Sequence, residues 1–251
     1  MISVKNDSQI KRMNKSANIL VETMKRLRKE IKPGAKTKRF EELVERLVKE
    51  KGVECSFKGV HDYPACTCTS INEEIVHVPP SERKLSEGDL FSLDMGIEFK
   101  GYHSDMAFTA GVGEVSSEKK ELMKVTKMAL KKGIEEVKPD NRLGDIGHAI
   151  QTYVEKKGYN VVEQLCGHGI GQEVHEDPQV LNVGEKNKGI KLDPGMVICL
   201  EPMVTPGSGK ITKTKDGHGF KAKDGALVAH FEHTVAVTEE GHKVLTEFDH
   251  D

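Results

Sequence analysis

Apolar residues recur at three- and four-residue steps from about Ser8 to Lys32: Ile10, Met13, Ala17, Leu20, Met24 and Leu27. That spacing predicts an amphipathic helix, with Ser8 as its cap and Pro33-Gly34 as its end. A second helix is expected from about Thr37 to Lys51, with Phe40, Leu43, Val44, Leu47 and Val48 on one face and Gly52 as its stop. Strand-like runs follow at Cys66–Ile71, Leu90–Phe99 and His103–Gly111.

The same order then returns. Helices are expected from about Ser117 to Val137 and from about Leu143 to Lys157, followed by strands near Val161–Val162, Val197–Val204 and Val228–Val237. The stretch from Pro33 to Gly52 has the same Pro-to-Gly spacing as Pro139 to Gly158. The run Leu90–Asp94 also matches Val197–Glu201, so each apolar stretch leads into a carboxylate. Asp105-Met106-Ala107 and Glu232-His233-Thr234 open the final strand of each half. These matches predict one α+β catalytic domain over residues 1–251, with similar halves at about 8–112 and 117–240. Their sheets would fuse into one curved platform with helices on its outer face.

Composition narrows the function by exclusion. Hydrophobic residues make up 36% and charged residues 31%, with a net charge of −2. That balance leaves no electrostatic footprint for nucleic acid or an anionic membrane. No run of about 18 apolar residues predicts a transmembrane helix. The first residues lack the apolar core of a signal peptide. Five cysteines, an odd number, fit free thiols in a reducing compartment better than a disulfide framework, and the cytoplasm is expected.

The candidate chemistry lies in the acids. A carboxylate in an apolar strand is costly to bury unless paired or bound to a cation. Asp94, Asp105, Glu201 and Glu232 occupy symmetric positions, and two-fold related strands would bring all four toward the axis between the halves. Their repulsion would be severe without counter-charge, which divalent ions would supply. An imidazole ligand is best sought at His168, in Cys166-Gly167-His168-Gly169, where flanking glycines allow close backbone approach. Oxygen ligands with one imidazole suit Co(II), Mn(II), Fe(II) or Zn(II). His230 and His233 lie on an expected strand and face opposite ways, while Pro178 breaks a zincin reading of His175-Glu176. No P-loop and no G-x-S-x-G nucleophile elbow is present.

The series Asp94, Asp105, His168, Glu201 and Glu232 resembles the ligand set of the methionine aminopeptidases, within the pita-bread metallopeptidases. Ser70-Ile71-Asn72-Glu73, Cys166–Gly171, Pro178-Gln179-Val180-Leu181, Glu201-Pro202-Met203-Val204 and Glu232-His233-Thr234 carry the same resemblance. It spans about Ile10 to Leu245 and implies the pita-bread fold, two divalent metal ions (Co, Mn, Fe or Zn) and excision of the initiator methionine before a small second residue. It further implies that Asp105 and Glu232 bridge the metals, that Asp94 completes one site, and that His168 with Glu201 completes the other. Glu201 becomes the proton shuttle for a metal-activated water, with His175 at the carbonyl oxygen and His77 at the substrate backbone. Phe57, Tyr63, Cys68 and His218 match pocket-wall positions. Val78, Val174 and His218 depart from the family pattern, His218 standing where the family often has Trp. The absence of an extra domain resembles the bacterial type 1 enzymes and argues against a proline-specific exopeptidase. A complete ligand set argues against a non-catalytic binding protein of this fold. The expected partner is a peptide or nascent-chain N-terminus, met by a monomer in transient contact with the ribosome.

Overall fold

A computed structural model describes residues 2–248; Met1 and residues 249–251, the ends of the expected domain, lie outside the described residues. The chain opens with helices α1 (Asp7–Arg28) and α2 (Thr37–Lys51), then strands β1 (Glu54–Cys55), β2 (Thr67–Ile71) and β3 (Glu74–Val76). Two long strands follow, β4 (Leu90–Glu98) and β5 (His103–Gly111). Helices α3 (Ser117–Glu135) and α4 (Leu143–Lys156) begin the second half. Strands β6 (Asn160–Val161), β7 (Gly167–Gly169), β8 (Glu176–Val180), β9 (Val197–Leu200) and β10 (Met203–Thr205) come next. The chain closes with β11 (Ile211–Lys213), β12 (Phe220–Ala222), β13 (Ala229–His230), β14 (Glu232–Thr238) and β15 (Gly241–Val244).

The two-helices-then-sheet repeat is present, but element ends differ from expectation for local reasons. Helix α1 starts one residue before Ser8, because Asn6 forms a capping box with Gln9. It also stops at Arg28, before Pro33 is reached. The run Val197–Val204 is two strands, β9 and β10, interrupted at Glu201-Pro202, where proline has no N–H for a ladder. Likewise Val228–Val237 divides into β13 and β14 at Phe231. Asp94 sits in the middle of β4, whereas Glu201 follows the end of β9, so the two acids are not strictly equivalent in register.

The main sheet has nine antiparallel strands in the order β1-β4-β5-β14-β9-β7-β8, with β2 also on β4 and β15 on β14. Two three-stranded sheets, β13-β10-β6 and β11-β12-β3, flank it. Helix residues Leu20, Met24, Phe40, Val125, Ile146 and Ile150 join sheet residues Phe91, Leu93, Phe108, Ile198 and Val235 in one apolar core. Burial of this layer drives the fold.

The halves meet where β5 pairs with β14, over Ala107–Glu232 and Met106–His233 only. Two buried threonines extend that short junction. Thr234 Oγ1 donates to Asp105 O at 2.7 Å and accepts from Asp105 N at 2.9 Å. Thr109 Oγ1 donates to His230 O at 2.9 Å and accepts from His230 N at 2.8 Å. Each half therefore fixes backbone of the other beside a candidate ligand. Among the described residues, no helix is long and apolar enough to cross a membrane.

The expectation of five free thiols is corrected. Cys55, at the end of β1, is disulfide-bonded to Cys66, just before β2. Both strands pair with β4, which brings two cysteines eleven residues apart in sequence within bonding reach. Cys68, Cys166 and Cys199 are free.

Candidate metal centre

The five expected ligands converge at the junction of the halves. Asp94, opposite Cys68 and Ala107, is 8% exposed; Asp105 and Glu232 are each 2% exposed. Glu201 follows β9, and its backbone carbonyl accepts a hydrogen bond from Asn182 Nδ2 at 3.1 Å. His168 lies on β7 between two glycines that the strand spacing requires. A Cβ on Gly167 would stand 2.1 Å from Cys199 O, and one on Gly169 would stand 2.2 Å from Asp177 O.

The tautomer of His168 follows from its neighbour. Its Nδ1 lies 2.9 Å from Gly169 O and donates to it, so Nε2 offers a lone pair. That Nε2 lies 3.9 Å from Asp105 Oδ2 and 3.8 Å from Glu201 Oε1. Burial holds the imidazole neutral, its pKa lowered to about 3, with His175 and His77 adding repulsion. A neutral ring facing carboxylates is the arrangement a metal-ligating histidine needs.

The acids receive only partial compensation from protein groups: Cys68 hydrogen-bonds Asp94, the Met106 backbone hydrogen-bonds Asp105 and Cys199 hydrogen-bonds Glu232, and burial outweighs each. Burial raises the Asp94 pKa to about 7. Burial, followed by the charge of neighbouring carboxylates, raises Asp105, Glu201 and Glu232 well above the ordinary range. Asp94 Oδ1, Asp105 Oδ1 and Glu232 Oε1 are buried with no hydrogen-bond partner. Buried acceptors without donors are rare in native proteins and call for an ion.

Asp94, Asp105 and Glu232 can bring ligand atoms within 4.8 Å of one another, as can His168, Cys199 and Glu232. The two groups share Glu232, which fits adjoining cation positions with a bridging carboxylate. Cys199 was not among the sequence candidates. It lies on β9, two residues before Glu201, and its approach to Glu232 and His168 is evident only in the folded sheet.

These groups open into a cavity of about 240 Å³. Its walls include all the remaining candidates: Phe57, Tyr63, Cys68, His77, His175 and His218. The His175 ring stands edge-on to His168 at 4.5 Å, and His218 meets Tyr63 edge-on at 5.9 Å. Burial lowers the pKa of His77 to about 4 and lowers that of His175, leaving neutral rings.

Val60, His61, Val76, Lys213, Gly217 and Phe220 also line the cavity and were missed, being dispersed over segments with no shared motif. Left-handed backbone at His61 (φ 48°) and His77 (φ 58°) turns both side chains from ordinary directions, a strain typical of functional sites. Of the three departures from the family pattern, only His218 lines the cavity. Val78 and Val174 are buried beside it.

Buried acids, a neutral histidine facing them and an adjoining cavity are the features a metallopeptidase site requires. The model of metallopeptidase family M24 matches residues 11–239, and the chain belongs to that family. It is 44% identical to the methionine aminopeptidase 1 of Bacillus subtilis over 246 residues, covering 98% of this chain and 99% of the relative. Solved methionine aminopeptidases from Thermotoga maritima (41% identical, TM-score 0.96) and Rickettsia prowazekii (33%, 0.97) each match over 98% of this chain and 100% of their own. The prolidase of Pyrococcus horikoshii matches at 26% identity and a TM-score of 0.78, over 98% of this chain but only 64% of its own. The expected pita-bread architecture is therefore the observed one.

Proposed function

We propose that the chain removes the initiator methionine from new proteins and peptides whose second residue is small. One observation carries the reading: four largely buried carboxylates and a neutral histidine face a cavity partly walled by aromatic and aliphatic side chains, in a chain similar over 98% of its length to a methionine aminopeptidase. Asp94, Asp105 and Glu232 would hold one divalent ion, and His168 and Glu201, together with Asp105 and Glu232, would hold a second. Co(II), Mn(II), Fe(II) or Zn(II) suit this donor set. Such ions polarise the first peptide carbonyl and make water nucleophilic near neutral pH.

The protein's own groups do the rest. Glu201, whose pKa is raised by burial and by its acidic neighbours, takes the proton of the attacking water and passes it to the leaving amine. His175 donates a hydrogen bond to the carbonyl oxygen as charge develops there. His77 contacts the substrate backbone beside the scissile bond. Phe57, Tyr63, Cys68 and His218 wall the pocket for an unbranched apolar side chain. The substrate's free α-amine docks at the carboxylate-lined end, which restricts cleavage to one residue. Action on emerging chains places the monomer in the cytoplasm, in transient contact with the ribosome.

Purified protein supplied with Co(II) or Mn(II) is expected to release methionine from Met-Ala-Ser and not from its N-acetylated form. Chelation is expected to abolish the activity. Equal cleavage of the blocked peptide, or hydrolysis that survives chelation, overturns the mechanism. A panel of X-Ala-Ser peptides tests the pocket at His218, and preference for an X other than methionine overturns the substrate assignment.

A further inference from the structure

Residues 2–6 form a strap ahead of α1 that crosses the loop carrying His175. Lys5 is buried, and its Nζ lies 2.8 Å from Glu176 Oε2, with the two side chains 3% and 15% exposed. The other oxygen of Glu176 accepts from Gln172 N at 2.7 Å and Glu173 N at 3.3 Å. Glu176 thus gathers the loop joining β7 to β8, and Lys5 closes the assembly from outside the sheet.

Two glycines make room for the strap. A Cβ on Gly171 would lie 2.5 Å from Glu176 Oε1 and 2.6 Å from Lys5 Cε. At Gly195 (φ +92°), a Cβ would lie 2.6 Å from Lys5 O, and Lys5 N donates to Gly195 O at 2.8 Å. The strap is therefore fixed by backbone at one point and by charge at the other.

Glu176 is next in chain to His175, and its register partner Gly169 is next to His168. The ion pair accordingly sits where the strand carrying His168 meets the end of the loop carrying His175. We infer that Lys5 is a positioning residue: through Glu176 it holds His175 in its edge-on contact with His168, at the height where the substrate carbonyl is met. The inference rests on the role proposed above for His175. An anchor serving only to tie down the N-terminal segment would need neither the bonds from Glu176 to the loop nor a location beside that ring.

The test uses the full chain loaded with Mn(II) and compares Lys5→Met, Lys5→Arg, Glu176→Gln and His175→Ala. Misplacing a catalytic group by about 1 Å is expected to lower kcat by roughly 10- to 100-fold in Lys5→Met, with KM little changed. Manganese affinity by calorimetry is expected to stay at the wild-type value, because the five ligands are untouched. Lys5→Arg is expected to recover most of the turnover. Glu176→Gln is expected to reproduce the loss, and the double variant Lys5→Met/Glu176→Gln to be no slower than either single. If Lys5→Met does not fold, Glu176→Gln and the His175 ring signals of Lys5→Arg, read by NMR in the Zn(II) protein, carry the test. Wild-type kcat in Lys5→Met or Glu176→Gln, with only the melting temperature lowered, overturns the inference. Full turnover in His175→Ala instead overturns the role given to His175, and its loss there while the strap variants remain active isolates the failure to the strap.

Discussion

Reducing the Cys55–Cys66 disulfide is a perturbation whose size follows from connectivity. The bond closes a loop with a sequence separation of 11, which carries the cavity residues Phe57, Val60, His61 and Tyr63. In the chain-entropy description, opening a loop of that length destabilises the protein by roughly 2.8 kcal/mol, by freeing the unfolded chain. For a domain of this size that corresponds to a melting temperature lower by about 5–11 °C. The native pocket is expected to change far less. Both ends of the loop still pair with β4, Glu41 still accepts from Cys66 N, Thr67 N and Thr67 Oγ1, and Tyr63 OH still donates to Thr67 O. KM for Met-Ala-Ser should therefore stay within about a factor of three, since the effect lies in the unfolded state. Thiol titration of the denatured, unreduced protein is expected to find three groups, matching the three free cysteines. Scanning calorimetry with and without reductant, and of Cys55→Ser, supplies the melting temperatures. Five titratable thiols in protein first exposed to a mild oxidant, or no shift when that protein is reduced, refutes the argument. A cytoplasmic redox poise favours the dithiol, and an enzyme whose pocket survives reduction works in either state.

Glu201→Gln keeps the shape of the side chain and removes its proton-accepting charge, so turnover is expected to fall by roughly 10²- to 10⁴-fold while peptide binding by calorimetry persists. Near-normal turnover would remove Glu201 from proton transfer. The acids also make stability pH-dependent. The Asp94 pKa rises from 3.8 unfolded to about 7 in the metal-free fold, so the folded state binds the extra proton in that window. Metal-free protein is therefore expected to lose stability as pH rises from about 4 toward 7, the other three raised carboxyls acting in the same direction. Divalent ions compete with those protons, and their gain in melting temperature is expected to be larger at pH 8 than at pH 6. Equal gains at the two pH values would contradict the assignment of these carboxyls as ligands.

Much of this was legible because burial leaves periodic marks. Met13, Ala17, Leu20, Met24 and Leu27 all lie in the interior, as their spacing requires. Acids within apolar runs stood out for the converse reason, that nothing in their own strands could offset their charge. What escaped depends on contacts between distant segments. The Cys55–Cys66 pair forms because β4 receives β1 and β2 along its length, a register no local pattern encodes. His61 and Phe220 reach one cavity from a turn between β1 and β2 and from strand β12, and Asn6 displaces Ser8 as cap through a reciprocal bond with Gln9.

His230 shows how close these two kinds of information lie. In sequence it is one of two histidines three apart, and the strand argument predicts only that they diverge. They do: His233 Nδ1 pairs with Thr246 Oγ1 at 3.1 Å, while His230 Nε2 lies 3.8 Å from Glu201 Oε2. The direction of His230 is set by Thr109, which binds its backbone on both sides from the opposite half. Thr234 does the same to Asp105. The ladder joining the halves is only two residue pairs long, so side chains have taken over where strand pairing ends. Placing the candidate ligands at that seam lets each half supply two carboxylates, with Asp105 fixed by Thr234 of the other half and the backbone two residues before Glu232 fixed by Thr109.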